Sequence, residues 1–228
     1  MNNARQIKNV LYEQVARIGK AVSSPKRLEL IELLCQGEKP VERLAQESSI
    51  SMKLASAHLR ELREAHLVDT RRDGKNIYYR LADRQVAEFW VMLHTLAEER
   101  LVELQMALQQ IVSSPGELIS NDRENLMKSA RKGEVVVLDV RPVEEYLNAH
   151  LPFARSIPLN ELKNRIDELP KDRPIVAYCR GPYCLMAKDA VDLLMNEGYW
   201  AVHLRDGIAE WNFAGKVRDA ENIAILKK

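Results

Sequence analysis

Two stretches of this chain, Gly133–Val140 and Pro174–Tyr178, are nearly continuous runs of Val, Ile, Leu and Ala with little polar alternation. A strand of that kind cannot show either face to water. It belongs in a sheet covered on both sides, which means parallel strands joined by crossover helices. The sequence supplies those helices. One pattern opens at Pro142, one runs through Leu162 and Ile166, and one carries Leu185, Ala187, Ala190, Val191, Leu193 and Leu194 at helical spacing. Trp200–Leu204 is a further strand, and Gly207 opens a last helix with Trp211. Glu117–Ser129 also reads as helical. Strands alternating with helices predict an α/β parallel sheet.

No such strand occurs before Ser113-Ser114-Pro115-Gly116, which reads as a domain break. A chain of 228 residues suits two cores. The expected domains are residues 1–112 and 113–228.

The first half is helical by pattern. Ile7, Val10, Leu11, Val15, Ile18 and Val22 mark one face of a helix over residues 4–22. Ser23-Ser24-Pro25 is a helix start, with a Ser cap and Pro in the first turn. That helix stops near Gly37, and a short one follows from Pro40. Ser51 caps a fourth, whose apolar stripe is Leu54, Ala55, Leu59 and Leu62. Small Ala45 allows two helices to cross, and Ser51, Lys53, Ser56, His58 and Arg60 form an outer face able to reach bases and phosphates. Val68–Leu81 then reads as a β-hairpin turning at Asp73-Gly74, with Arg71, Arg72 and Lys75 at its tip. Residues 83–112 read as one long helix with a seam at Trp90, Leu93/His94, Ala97, Leu101, Leu104, Leu108 and Ile111. His94 is expected as a packed interface residue on that seam, and Cys35 as a small core residue.

The stretch SSPKRLELIELL…VERLAQESSISMKLASAHLRELREAHLVDTRRDGKNIYYRL resembles the ArsR/SmtB family of bacterial transcription regulators. The resemblance implies a mostly α winged helix-turn-helix. Ser51, Lys53, Ser56 and His58 would enter the major groove, and Arg71, Arg72 and Lys75 would track phosphates. It implies a homodimer through residues 4–22 and 83–112, on a palindromic double-stranded operator. The family's metal sites are broken here. Lys39-Pro40-Val41-Glu42 stands where a cysteine pair would be, and neither Asp83-Arg84-Gln85 nor His94 keeps the spacing of a zinc site. No metal is expected.

In the second half, the strand Pro174–Tyr178 delivers Cys179 to a short loop, and a helical pattern begins directly afterwards. A thiol there faces helix amides and a positive dipole, which favour thiolate, and Arg180 adds a neighbouring cation. LDVRPVEEYLNAHLPFARSIPL and HLRDGIAEW resemble a rhodanese-like domain, with Ala149, Phe153 and Asp206 at positions where glycine is usual. By that resemblance Asp139, Arg141 and His150 are scaffold residues. The loop Cys179–Cys184, including Arg180, Gly181, Pro182 and Tyr183, is an anion cradle for a Cys179 persulfide. The related phosphatase type needs Arg six residues after the cysteine, where this chain has Leu185. Cys184 is a candidate resolving thiol, able to attack the persulfide to give a disulfide or trisulfide.

These readings combine into a DNA-binding transcription regulator whose rhodanese-like domain senses or accepts reactive sulfur from a small donor. The alternative is a sulfurtransferase using thiosulfate or a persulfide, with an attached DNA-binding domain. No cofactor is expected beyond the covalent persulfide. The net charge of +1 leaves any basic face to be local. No apolar run reaches membrane-spanning length, the start lacks a signal-peptide core, and three cysteines are too few for a disulfide framework. A cytoplasmic location is expected.

Overall fold

The computed structural model describes residues 2–111, 117–118 and 123–214; the expected break at 113–116 lies outside them. The chain divides into two units, and the division falls between Trp90 and Val91.

The first unit holds α1 (Asn2–Val22), α2 (Pro25–Cys35), β1 (Lys39–Pro40), α3 (Val41–Glu47), α4 (Met52–Glu64), β2 (Val68–Asp73) and β3 (Asn76–Leu81). Pro25 starts α2 as expected, but the Ser24 side chain makes no capping bond. The Ser24 carbonyl instead takes the amides of Arg27 and Leu28. Between α3 and α4 the chain turns through Ser49, whose φ is 54°. The Ile50 amide bonds back to the Ala45 carbonyl at 3.0 Å, and Lys26 Nζ holds the Ser48 carbonyl at 2.7 Å. Leu30, Leu44, Leu59 and Leu62 are fully buried, each worth about 1.5–3 kcal/mol in water exclusion. The hairpin pairs Val68 with Leu81 through Asp73 with Asn76, and β1 adds to β3. Its two central residues are therefore Gly74 and Lys75, one step later than expected. Gly74, at φ +60°, takes the left-handed position.

Two expectations for this unit change. Leu54, placed on the apolar stripe of α4, is 43% exposed, while Ala55, Leu59 and Leu62 form the buried face. Cys35 is half-buried at the end of α2 rather than a core residue.

Helix α5 (Arg84–Arg100) runs through the division. The second unit continues with α6 (Val102–Ile111), β4 (Glu117–Leu118), α7 (Arg123–Lys132), β5 (Val136–Asp139), α8 (Val143–Asn148), β6 (Arg155–Ser156), α9 (Leu159–Arg165), β7 (Ile175–Tyr178), α10 (Met186–Asn196), β8 (Ala201–Leu204) and α11 (Ile208–Ala214). The sheet has the order β4-β8-β7-β5-β6 and every pairing is parallel. Alternate residues of β5 and β7 enter two separate cores. Leu138, Ile175 and Ala177 pack with Leu162, Ala190 and Leu194. Val137, Val176 and Tyr178 pack with Leu126, Leu151 and Ile208. This two-sided burial is what the continuous apolar runs require.

Residues 117–118 are a strand rather than the start of a helix, and the described part of the following helix is Arg123–Lys132. The expected single helix over 83–112 is interrupted at Leu101. Here the Gln105 side-chain amide donates to the Glu98 carbonyl at 2.7 Å, the acceptor a continuous helix would offer to Val102. The seam is also not uniform. Trp90 and His94 are buried, whereas Leu101 is 51% exposed.

Candidate functional site

Strand β7 ends at Tyr178 and places Cys179 at the carboxyl edge of the sheet, where parallel folds carry their chemistry. The strand end is fixed from one side. The Tyr178 hydroxyl donates to Asp139 Oδ2 at 2.5 Å and accepts the Leu151 amide at 3.0 Å. Arg141, fully buried, donates to Asp139 at 2.6 Å and to the Ala149 carbonyl at 2.8 Å. Asp139 and Arg141 thus act as scaffold. His150 stacks on Tyr146 with ring centroids 4.0 Å apart and bonds to its carbonyl through Nδ1.

Beyond Cys179 the loop closes on itself. The Cys184 amide bonds to the Gly181 carbonyl at 3.1 Å, and Cys179 Sγ donates to the Cys184 carbonyl at 3.2 Å. Cys179 is 1% exposed and Cys184 half-buried. The two sulfurs interact directly. The Cys179 thiol stabilises negative charge on Cys184, and the amides of Arg180 and Met186 add to this, so the Cys184 thiol is pulled down to about 7. Burial pushes the Cys179 thiol up, although the amides of Ala187 and Gly181 favour its anion. The pair therefore holds one negative charge and one proton near neutral pH, with the charge first on Cys184. That reverses the order expected from the position of Cys179 alone. The physical reason is that burial holds the proton on Cys179, and the Cys179 thiol then stabilises the anion on Cys184.

The Arg180 side chain is not a free cation beside the thiol. It forms an ion pair with Glu145 at 2.6 Å, and Glu145 is itself 2% exposed. The backbone next to Arg180 is clamped from below. Gly207 lies so close that a Cβ on it would stand 2.0 Å from the Arg180 carbonyl oxygen. Glu210 Oε2 accepts the Gly207 amide at 2.9 Å, and its carboxylate lies against Gly181, where a Cβ would meet it at 3.2 Å. His94 Nε2 is 3.1 Å from Glu210 Oε1, and Nδ1 is 3.3 Å from Glu98 Oε1. The His94 ring meets Tyr183 edge-on at 5.7 Å. So His94 packs against its own chain's loop region, which corrects its expected place on a subunit seam.

Sequence reading missed Glu145, Glu98 and Glu210. Glu210 left a local signal, an acid three residues after a helix-opening glycine, the spacing of a capping box, and Glu145 lies inside the LDVRPVEEYLNAHLPFARSIPL stretch.

On the first unit, Ser51, Lys53, Ser56 and Arg60 are exposed. Ser51 Oγ accepts the Leu54 amide as the α4 cap, and Arg60 sits 3.9 Å from Glu64. His58 is half-buried, and burial, with Arg27 nearby, holds its pKa low. Arg72, Gly74 and Lys75 are exposed at the hairpin tip. Arg71 is exposed but tied down, with ion pairs to Glu38 at 2.6 Å and Asp73 at 3.2 Å, and it lies over the Tyr78 ring.

Residues 24–70 match the family described as bacterial regulatory protein, arsR family, and residues 122–214 match the rhodanese-like domain. The HTH-type transcriptional regulator Rv0324 of Mycobacterium tuberculosis is 42% identical over 208 residues, covering 91% of each chain. A sulfurtransferase of Allochromatium vinosum is 35% identical over 92 residues, 40% of this chain and 84% of its own. The biofilm growth-associated repressor of Xylella fastidiosa (strain Temecula1) is 39% identical over 83 residues, 36% of this chain and 73% of its own.

Proposed function

We propose, for a chain that belongs to the ArsR family of bacterial regulators and carries a rhodanese-like domain, a transcription regulator switched by reactive sulfur at Cys179. The carrying observation is the cysteine pair: two sulfurs in one six-residue loop, with Cys179 Sγ donating to the Cys184 carbonyl at 3.2 Å and loop amides favouring an anion on either sulfur. In this reading Cys184 draws the proton from Cys179, and the Cys179 thiolate attacks a sulfane sulfur of a polysulfide. The donor's S–S bond breaks, a new S–S bond forms on Cys179, and the donor leaves one sulfur shorter as its thiolate. Loop amides stabilise the terminal sulfur anion. Cys184 then returns that proton to the terminal sulfur, and its thiolate attacks the Cys179 sulfur, forming the Cys179–Cys184 disulfide and expelling hydrosulfide. Arg180, through its amide and its Glu145 anchor, together with Gly181, Pro182 and Tyr183, forms the cradle.

The DNA partner is reached through Ser51, Lys53, Ser56 and Arg60 on α4, and through Arg72 and Lys75 on the hairpin. His58 and Arg71 act from behind as supports. A homodimer through α1 and residues 83–112 on a palindromic site is part of the proposal. The exposed apolar side chains Ile7, Val10, Leu11 and Val15 of α1 support it. Among the described residues no helix is long and apolar enough to cross a membrane, in keeping with a proposed cytoplasmic role.

The test is affinity for a DNA fragment selected from a random pool, measured with and without polysulfide for wild type and Cys179→Ser. Polysulfide should change wild-type affinity and leave the variant unmoved. Equal affinity in all four conditions refutes the sulfur switch. The second reading, a turning-over sulfurtransferase, is favoured by the likeness to the Allochromatium protein. It predicts sustained, Cys179-dependent thiocyanate formation from thiosulfate and cyanide rather than one stoichiometric transfer.

A further inference from the structure

The cradle has a second support that the proposed reaction does not use. Glu210 is 6% exposed and presses its carboxylate onto Gly181, whose amide points at Cys179. A bare carboxylate there opposes any negative charge on the cysteine pair. His94, from α5, meets that carboxylate at 3.1 Å and also touches Tyr183 of the loop. We infer that His94 is a positioning residue for the cysteine pair: it neutralises Glu210 and so keeps the cradle receptive to a sulfur anion. The inference rests on the reading of Cys179–Cys184 as the reactive pair.

The surroundings form a closed charge set. His94 faces Glu98 from α5 and Glu210 from α11. Glu98 is paired with Arg205, and Asp206, which neighbours Glu210, is paired with Arg123 from α7. The three cations and three anions balance, and Arg180 with Glu145 forms a separate neutral pair on the loop. Burial alone drags the His94 imidazolium toward neutrality, but Glu210 and Glu98 outweigh it and push its pKa up to about 9. His94 therefore keeps its proton through the range in which Cys184 ionises. Removing that one positive charge leaves Glu210 uncompensated beside Gly181. His94 thus gives α5 an electrostatic contact with Glu210 as well as a ring contact with Tyr183 of the loop.

The experiment follows alkylation of the peptide carrying Cys179 and Cys184 against pH, by mass, in the full chain. In His94→Gln the midpoint should rise by about one unit, slowing alkylation roughly fivefold at pH 7. In Glu210→Gln it should fall. In the double variant it should return close to wild type. Opposite shifts with restoration cannot come from mere loosening, which would move both single variants the same way. If His94→Gln does not fold, the downward shift in Glu210→Gln carries the test alone. Unchanged midpoints, or shifts of the same sign, overturn the inference. The readout needs no sulfur donor. Failure of wild type to take up polysulfide would refute the proposed function while leaving these midpoints measurable, and unshifted midpoints with intact sulfur uptake would refute only this inference.

Discussion

Gly207→Ala tests the clamp beneath the loop. A Cβ at this position would stand 2.0 Å from the Arg180 carbonyl oxygen, 2.3 Å from its carbon and 2.7 Å from the Gly181 nitrogen. All three are backbone atoms, so no side chain can swing away. Contacts below 3.0 Å essentially do not occur at real Cβ atoms, so the two backbones must separate by about 1 Å. Overpacking of that kind costs about 1–3 kcal/mol. At about 4 °C per kcal/mol, the second unit should melt roughly 4–12 °C lower. The chemical loss should exceed the thermal one. The displaced peptide contributes the Gly181 amide aimed at Cys179, and misplacing a reacting group by about 1 Å costs on the order of a hundredfold in rate. The assay is the rate of sulfur uptake at Cys179 by intact mass, with calorimetry on the same sample. Gly19→Ala is the control, since nothing lies within 4 Å of its added methyl. Wild-type uptake and wild-type melting in Gly207→Ala would refute the clamp.

Other perturbations separate the remaining claims. Arg141→Ala strips a fully buried partner from Asp139 and should cost about 3–5 kcal/mol by urea unfolding, because it leaves an uncompensated buried charge. The pKa of His94 rises on folding from 6.5 to about 9. Its stabilisation, on the order of 3 kcal/mol, is therefore complete below pH 6.5 and lost as pH rises through 9. Denaturant midpoints against pH should show that fall in wild type and a flatter curve in His94→Gln. Neutralising Arg72 and Lys75 together should reduce the salt slope of DNA binding by about 1.8 through two lost phosphate contacts. Arg71→Gln should change the slope less, because Glu38 and Asp73 already hold that guanidinium.

The sheet was readable because its strands obey a local rule. Val136–Asp139 and Ile175–Tyr178 are apolar on both faces, and only a covered parallel sheet accommodates that. The cysteine loop was readable because strand, loop and helix are adjacent in sequence. The support of the loop was not, because its partners are remote. His94 and Glu210 are 116 positions apart, and no periodicity records which buried imidazole meets which carboxylate. The same limit hid the tie between Arg71 and Glu38. Leu54 escaped for a different reason. Its spacing suited the apolar stripe, yet the buried face is narrower, Ala55, Leu59 and Leu62, and Leu54 stands outside it.

The anchoring of Tyr178 gives the loop a fixed point of entry. Its hydroxyl is held by Asp139 and the Leu151 amide, so the backbone entering Cys179 cannot retreat into the sheet when a sulfur atom is added. Tyr183, at the other end of the loop, is only half-buried and meets the His94 ring by its edge. A sulfur atom added at Cys179 therefore has to be accommodated by the loop beyond it, not by the strand behind it.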